Sequence, residues 1–257
     1  MEKVILISID GMRPDGFLAC GNPYIEELQR ISAHTLDAVT VMPSLTLPCH
    51  MSLFHGVTPR RHGVTTNTFT PCPRPVDGIF ELAKKNGRRS SMHYGWEPLR
   101  EVARPKSLMW AGYFNAYAAE HTDGILTDMA LQRIAESKPD FVFLYMVETD
   151  EKGGHDSGWM TDTYLDYVRR AIDNVQRVVE AAGHEYTVIV TADHGGHDRS
   201  HGTDKPEDMT IPQFFMGPRF TAGRDLGEVS LLDLAPTIAE LMGVHRPREW
   251  EGRSLAE

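Results

Sequence analysis

Two short stretches of the chain concentrate side chains able to hold a metal ion or move a proton. "VIVTADHGGHDRSHGTD" carries Asp193, His194, His197 and His201 directly after an apolar run, and "TDEKGGHDSG" carries Asp150 and His155. Asp10 closes a third apolar run, "KVILISID". Carboxylates and neutral imidazoles together suit zinc and similar divalent ions. A single Asp at a strand end is ordinarily a turn or helix cap, and a single His is ordinarily a surface or hydrogen-bonded core residue. Three apolar runs that all end in Asp, with His close behind two of them, shift the balance toward a metal site. Asp10, Asp150, His155, Asp193, His194 and His201 exceed the three or four ligands of one zinc, so the arithmetic favours two ions. Two ions about 4 Å apart can stabilise both the attacking and the leaving oxygen of an in-line displacement, a geometry suited to phosphoryl transfer.

The nucleophile candidate lies in "MPSLTLPCHMSLFHG". Thr46 follows a strand-like run and precedes Pro48, which fits the first turn of a helix whose N-terminus attracts an anion. A hydroxyl there could be activated by a neighbouring metal. Ser44 and Cys49 are rivals, and Thr46 could equally serve only as the helix N-cap.

These residues need elements to hold them. The runs ending at Asp10, Asp150 and Asp193 are β-branched and continuously apolar, as expected of strands covered on both faces of a parallel sheet. Ligands of open α/β sheets bind at the carboxyl ends of the strands, where the three carboxylates would stand. Apolar residues recur at helical spacing in "TDTYLDYVRRAIDNVQRVVEAAG", which Gly183 is placed to end. In "SLLDLAPTIAELMG", Ser230 and Asp233 form a capping-box pattern. "NPYIEELQRISAH" and "VDGIFELAKKNG" read as two further helices, each leading into a strand. The alternation predicts a three-layer α/β/α sandwich around a central, mostly parallel sheet, with residues 1–257 as one domain. Residues 94–125 are aromatic and aperiodic, a partly irregular segment that could cover the site.

Composition narrows the partners. The 257 residues carry a formal net charge of −10, which argues against a nucleic-acid polymer and favours a small soluble substrate. Cys20, Cys49 and Cys72 have no paired spacing and read as reduced, packed thiols. No run approaches the roughly 18 apolar residues of a membrane span. The N-terminal residues lack a secretory pattern, so the expected location is cytoplasmic, without membrane association. Composition says nothing of the oligomeric state.

"ISIDGMRPD", "MPSLTLPCHMSLFHGVTPRRHGV", "DEKGGHDSG" and "TADHGG…HGTD", in that order, resemble the alkaline phosphatase superfamily, and most of all its nucleotide pyrophosphatase/phosphodiesterase branch. The likeness covers residues 3 to about 70 and 140 to the end. It implies two zinc ions, with manganese also compatible: one held by Asp10, Thr46, Asp193 and His194, the other by Asp150, His155 and His201. It implies Thr46 as a nucleophile forming a phospho-threonine intermediate. It also implies that Asn67 and the backbone N–H after Thr46 bind a phosphoryl oxygen. His197 has no place in that ligand set. In the branch, three residues separate the second site's Asp and first His, whereas four separate Asp150 from His155; a loop bulge at the extra glycine is expected to absorb the difference. The implied activity is hydrolysis of a small phosphodiester or pyrophosphate. Phosphomonoesterase, phosphonate hydrolase and sulfatase chemistry share the scaffold, and Arg13, Arg60 and Arg61 are the candidates for the extra cation a monoester needs. More distant alternatives are a manganese-dependent phosphosugar mutase and a non-enzymatic, metal-stabilised binding module.

Overall fold

A computed structural model describes residues 1–257. Seven strands form one sheet: β1 (Lys3–Ile9), β2 (Ala33–Val39), β3 (Ser90–Tyr94), β4 (Trp110–Tyr113), β5 (Phe141–Met146), β6 (Tyr186–Thr191) and β7 (Thr210–Met216). Their order is β2-β7-β6-β1-β5-β3-β4, and β7 alone runs against the others. The three runs that precede the acidic residues occupy the centre as β6, β1 and β5. All residues of β5 and β6, and Val4 to Ile9 of β1, are buried. With helices on both faces no strand face meets water, which is why these strands lack polar alternation. Each fully buried Val, Leu or Ile side chain there contributes roughly 1.5–3 kcal/mol.

The helices are α1 (Pro14–Ala19), α2 (Tyr24–Ile31), α3 (Thr46–His55), α4 (Pro59–His62), α5 (Ile79–Lys85), α6 (Thr122–Ser137), α7 (Asp162–Ala182), α8 (Pro206–Met209) and α9 (Leu234–Leu241). One layer groups α1, α2, α6 and α7, and the other α3, α5 and α9, which gives the expected α/β/α sandwich. The predicted caps are present. Thr161 accepts the Tyr164 N–H to start α7, and Gly183 ends it. Ser230 Oγ accepts the Leu232 N–H while Asp233 accepts the Ser230 N–H, opening the turn that leads into α9. No helix is long and apolar enough to cross a membrane.

Residues 94–125 are more regular than their sequence suggests. They contain a 3-10 turn (Glu97–Val102), the edge strand β4, and the start of α6. Both of the latter escaped detection for physical reasons. β4 is only four residues long, and α6 buries Thr122, Asp123 and Thr127 alongside Leu126, Ala130 and Ile134, so polar residues interrupt its apolar period.

Candidate metal centre and nucleophile

The register of the central strands places the first carboxylates. Ser8 faces Thr191 across β1 and β6, and Asp10 and Asp193 each stand two residues beyond that pair. Both are buried, and His194 packs against them with its Nε2 at 3.2 Å from Asp10 Oδ1 and 3.3 Å from Asp193 Oδ2. Nδ1 of His194 lies 2.8 Å from the Gly195 carbonyl oxygen. A carbonyl only accepts, so the proton sits on Nδ1 and Nε2 presents a lone pair. Asp10 Oδ1 and Asp193 Oδ2 are themselves buried without a hydrogen-bond donor. Such orphaned oxygens are costly. A divalent cation is what this set of converging lone pairs fits.

Neighbouring groups aim these ligands. Tyr145 donates its hydroxyl to Asp10 Oδ2, and the Gly11 N–H donates to Asp193 Oδ1. His50 lies 3.4 Å from Asp193 Oδ2, with its ring held between the Thr46 carbonyl and the Ser8 hydroxyl. Sequence reasoning missed Tyr145 and His50, because an aromatic residue in an apolar strand and a His within a helix carry no signal of what they face.

The second group of ligands rests on less regular backbone. Residues Thr149–His155 form a π-helical turn rather than the expected loop bulge. A π turn brings residues five apart toward one face, and His155 Nε2 lies 3.4 Å from Asp150 Oδ2. The additional residue between Asp and His is therefore taken up inside a helical turn. His155 Nδ1 is 3.0 Å from the Arg199 carbonyl oxygen and His201 Nδ1 is 2.9 Å from that of Ser44. As at His194, these contacts turn the Nε2 lone pairs inward. His201 Nε2 stands 3.8 Å from Asp150 Oδ1, another buried oxygen without a donor.

Glycines permit this approach. Gly11 has φ +66° and a Cβ there would sit 2.9 Å from Asp150 Oδ1. The Gly195–Gly196 pair runs along residues 207–208, its N–H groups donating to the Asp208 and Glu207 carbonyls. A Cβ on Gly196 would lie 2.2 Å from the Trp159 ring, which also packs on Gly154 and meets His155 edge-on. Trp159 donates its Nε1–H to the Gly11 carbonyl, tying the loops of both ligand groups together.

Ligand atoms of Asp10, Asp193 and His194 lie within 4.8 Å of one another, as do those of Asp150, His194 and His201. His194 is thus at the junction, with its ring stacked on that of His201 at 3.8 Å. The electrostatics agree. Burial, reinforced by the Asp193 and Asp150 charges, pushes the Asp10 carboxyl well above its usual range; burial and Asp193 do the same to Asp150. Burial is the largest influence on Asp193 and raises it, but His194, His50, the contact with Asp10 and His201 together hold the carboxyl low. Burial and then His194 push His201 down to about 3. Bound cations would stabilise the deprotonated forms of all four groups.

The three nucleophile candidates separate here. Ser44 donates its hydroxyl to the Thr203 carbonyl, and burial raises the Cys49 thiol far above its ordinary range. Thr46 is the first residue of α3, with Leu45 as N-cap, and its Oγ1 lies 3.2 Å from His194 Nε2. Asn67, exposed on the following loop, accepts the Leu47 N–H at 3.0 Å, so the two expected phosphoryl-oxygen donors meet each other beside Thr46. His197 stands apart, 2.7 Å from buried Asp208. Arg13 is engaged by Asp15 and the Gly196 carbonyl, and Arg61 by Glu249 and the Arg74 carbonyl. Tyr94 and Tyr113 pack on each other, with ring centroids 5.3 Å apart.

Carboxylates and imidazoles at the carboxyl end of a mostly parallel sheet, beside a hydroxyl at a helix N-terminus, define an α/β protein with groups that could hold a metal ion. The chain belongs to the type I phosphodiesterase / nucleotide pyrophosphatase family, whose model matches residues 4–210. Ectonucleotide pyrophosphatase/phosphodiesterase family member 1 of Mus musculus is 25% identical over 196 residues, covering 68% of this chain and 21% of that protein. A 2,3-bisphosphoglycerate-independent phosphoglycerate mutase of Clostridioides difficile is 28% identical over 137 residues, covering 51% of this chain and 26% of the mutase. The chain thus spans about a quarter or less of these curated relatives. Among solved structures, murine ectonucleotide pyrophosphatase/phosphodiesterase 5, an inactive form in complex with AMP, shares the fold with a TM-score of 0.83 at 14% identity, covering 98% of this chain and 97% of that one.

Proposed function

We propose that the protein is a metal-dependent hydrolase of small phosphodiesters or pyrophosphates, acting through Thr46. The observation that carries this reading is the convergence of three donor-less carboxylate oxygens, from Asp10, Asp150 and Asp193, with inward-facing imidazole nitrogens beside the Thr46 hydroxyl. Two zinc ions fit the donors, manganese being the alternative: Asp10, Thr46, Asp193 and His194 for one, Asp150, His155 and His201 for the other. When bound, such ions lower the pKa of a coordinated hydroxyl and neutralise charge on a phosphoryl group.

The chain's own residues supply the rest. Thr46 Oγ1 gives up its proton and attacks phosphorus in line, forming an O–P bond as the bond to the alcohol or phosphate leaving group breaks and that group departs, taking up a proton where it needs one. Water then attacks the phospho-threonine, breaking the Oγ1–P bond and releasing the phosphomonoester. Asn67, from its Nδ2, and the Leu47 N–H, once released from Asn67 Oδ1, would donate to a non-bridging oxygen as its charge grows. A diester is preferred because Arg13 and Arg61, two candidates for a monoester's extra charge, are committed to other partners.

The mutase likeness favours a second reading, phosphoryl transfer back to a hydroxyl of a small acceptor such as glycerate. Thr46→Ala decides the central claim: turnover of bis-p-nitrophenyl phosphate is expected to fall by about 10³-fold or more with metal content unchanged. Wild-type turnover in that variant would remove Thr46 as nucleophile. A parallel screen with p-nitrophenyl phosphate, p-nitrophenyl sulfate, phosphoglycerate and a phosphosugar separates diesterase from monoesterase, sulfatase and mutase.

A further inference from the structure

The π-helical turn depends on a clamp outside the ligand set. Glu148, buried two residues before Asp150, accepts the Thr122 N–H at 3.1 Å and the Asp123 N–H at 3.3 Å, so it caps the start of α6. Asp123, equally buried, returns the contact: its two oxygens accept the Val147 N–H at 2.8 Å and the Glu148 N–H at 3.1 Å. Each carboxylate thus satisfies two backbone donors of the other's segment. Lys152, inside the turn, donates from Nζ to Glu148 at 2.6 Å and to the Ala119 carbonyl at 3.1 Å. The few residues between the end of β5 and Asp150 are held from both sides.

The need for such a clamp follows from helix geometry. π turns are rare and occur mostly as single turns inside α-helices. Relaxation to α geometry would rotate a residue five positions on by about 140° from its partner, which would separate His155 from Asp150. We propose that Asp123, Glu148 and Lys152 form a positioning device that keeps Asp150 and His155 on one face, and so sets the affinity of one of the two ion sites. The inference rests on reading Asp150 and His155 as ion ligands.

The test is cobalt titration of the metal-free 257-residue chain, followed by the visible absorption of each bound ion. Two ions in the wild type uphold the underlying reading, and a wild type that takes up no second ion overturns it together with the clamp. Asp123→Asn and Lys152→Met are expected to weaken one cobalt site by roughly 10–100-fold, the range for partners of metal ligands, leaving the other site unchanged. Lys152→Arg, which keeps the charge on Glu148, should bind like the wild type. Unchanged affinity, equal weakening of both sites, or equal loss in Lys152→Met and Lys152→Arg would each overturn the clamp while leaving the ligand assignment intact. Lys152 is partly exposed, so its two variants decide the matter even if Asp123→Asn does not fold.

Discussion

The two halves of the site are assembled by different means. Asp10 and Asp193 follow directly from adjacent parallel strands in register, and Thr46 and His194 close on them with almost no exposure. Asp150 and His155 hang instead from a π turn beyond the end of β5, and the His155 side chain is 37% exposed. Regular pairing positions the first group through backbone hydrogen bonds that every residue of the sheet shares. The second group depends on particular contacts: the Trp159 ring on Gly154, the Arg199 carbonyl on His155 and the Glu148 carboxylate on α6. A ligand at a strand end inherits the rigidity of the sheet, while one on an irregular turn needs partners of its own.

The largest test of this contrast compares His194→Ala with His155→Ala. His194 is assigned to one ion but also lies within reach of Asp150 and His201, so its loss is expected to remove its own ion and loosen the second, whereas loss of His155 removes only one. Metal analysis after dialysis reads the difference, and equal stoichiometry in the two variants would erase it. A smaller effect is expected at Asn67, which touches the deep half only through the Leu47 N–H. Asn67→Ala should lower turnover by roughly 10²–10³-fold, as loss of an oxyanion donor does, with ion content unchanged. Loss of an ion in that variant would mean that Asn67 supports the ligands rather than the reaction.

The smallest effect comes from a buried polar group outside the site. Both ring nitrogens of His93 on β3 lack a hydrogen-bond partner, and burial followed by the Arg133 charge holds its pKa down to about 4 from 6.5. Between those values the unfolded chain binds a proton that the folded chain does not, so stability falls as pH drops through this window. His93→Leu should flatten that part of the curve and raise the stability of the metal-free protein at pH 5 by about 1–3 kcal/mol, the cost of an unsatisfied buried group. Urea unfolding between pH 4 and 7 measures it. An unchanged pH slope would show that His93 is satisfied in solution.

Much of the fold was legible in the sequence because its signals are local. Continuous apolar strands, the capping pair Ser230 and Asp233, and the long periodic helix ending at Gly183 each announce themselves within about 20 residues. β4 and α6 did not, since one is too short to show alternation and the other buries polar residues. Of the candidate site, the residue types and strand-end positions could be read, but not the π turn, since the spacing of Asp150 and His155 is equally compatible with a loop.

By itself, the sequence determined which residues could serve as ligands and that their strands would be covered on both faces, because side-chain chemistry and an unbroken apolar run are properties of short segments. Only the tertiary structure set Thr46 beside His194 while turning Ser44 to the Thr203 carbonyl, put His194 between the two carboxylate groups, and recruited Trp159, Tyr145 and His50. Those outcomes depend on strand register and on packing between segments more than 100 residues apart, such as Thr46 and His194. No local pattern encodes such distances; they are set when the sheet and its helices close on one another.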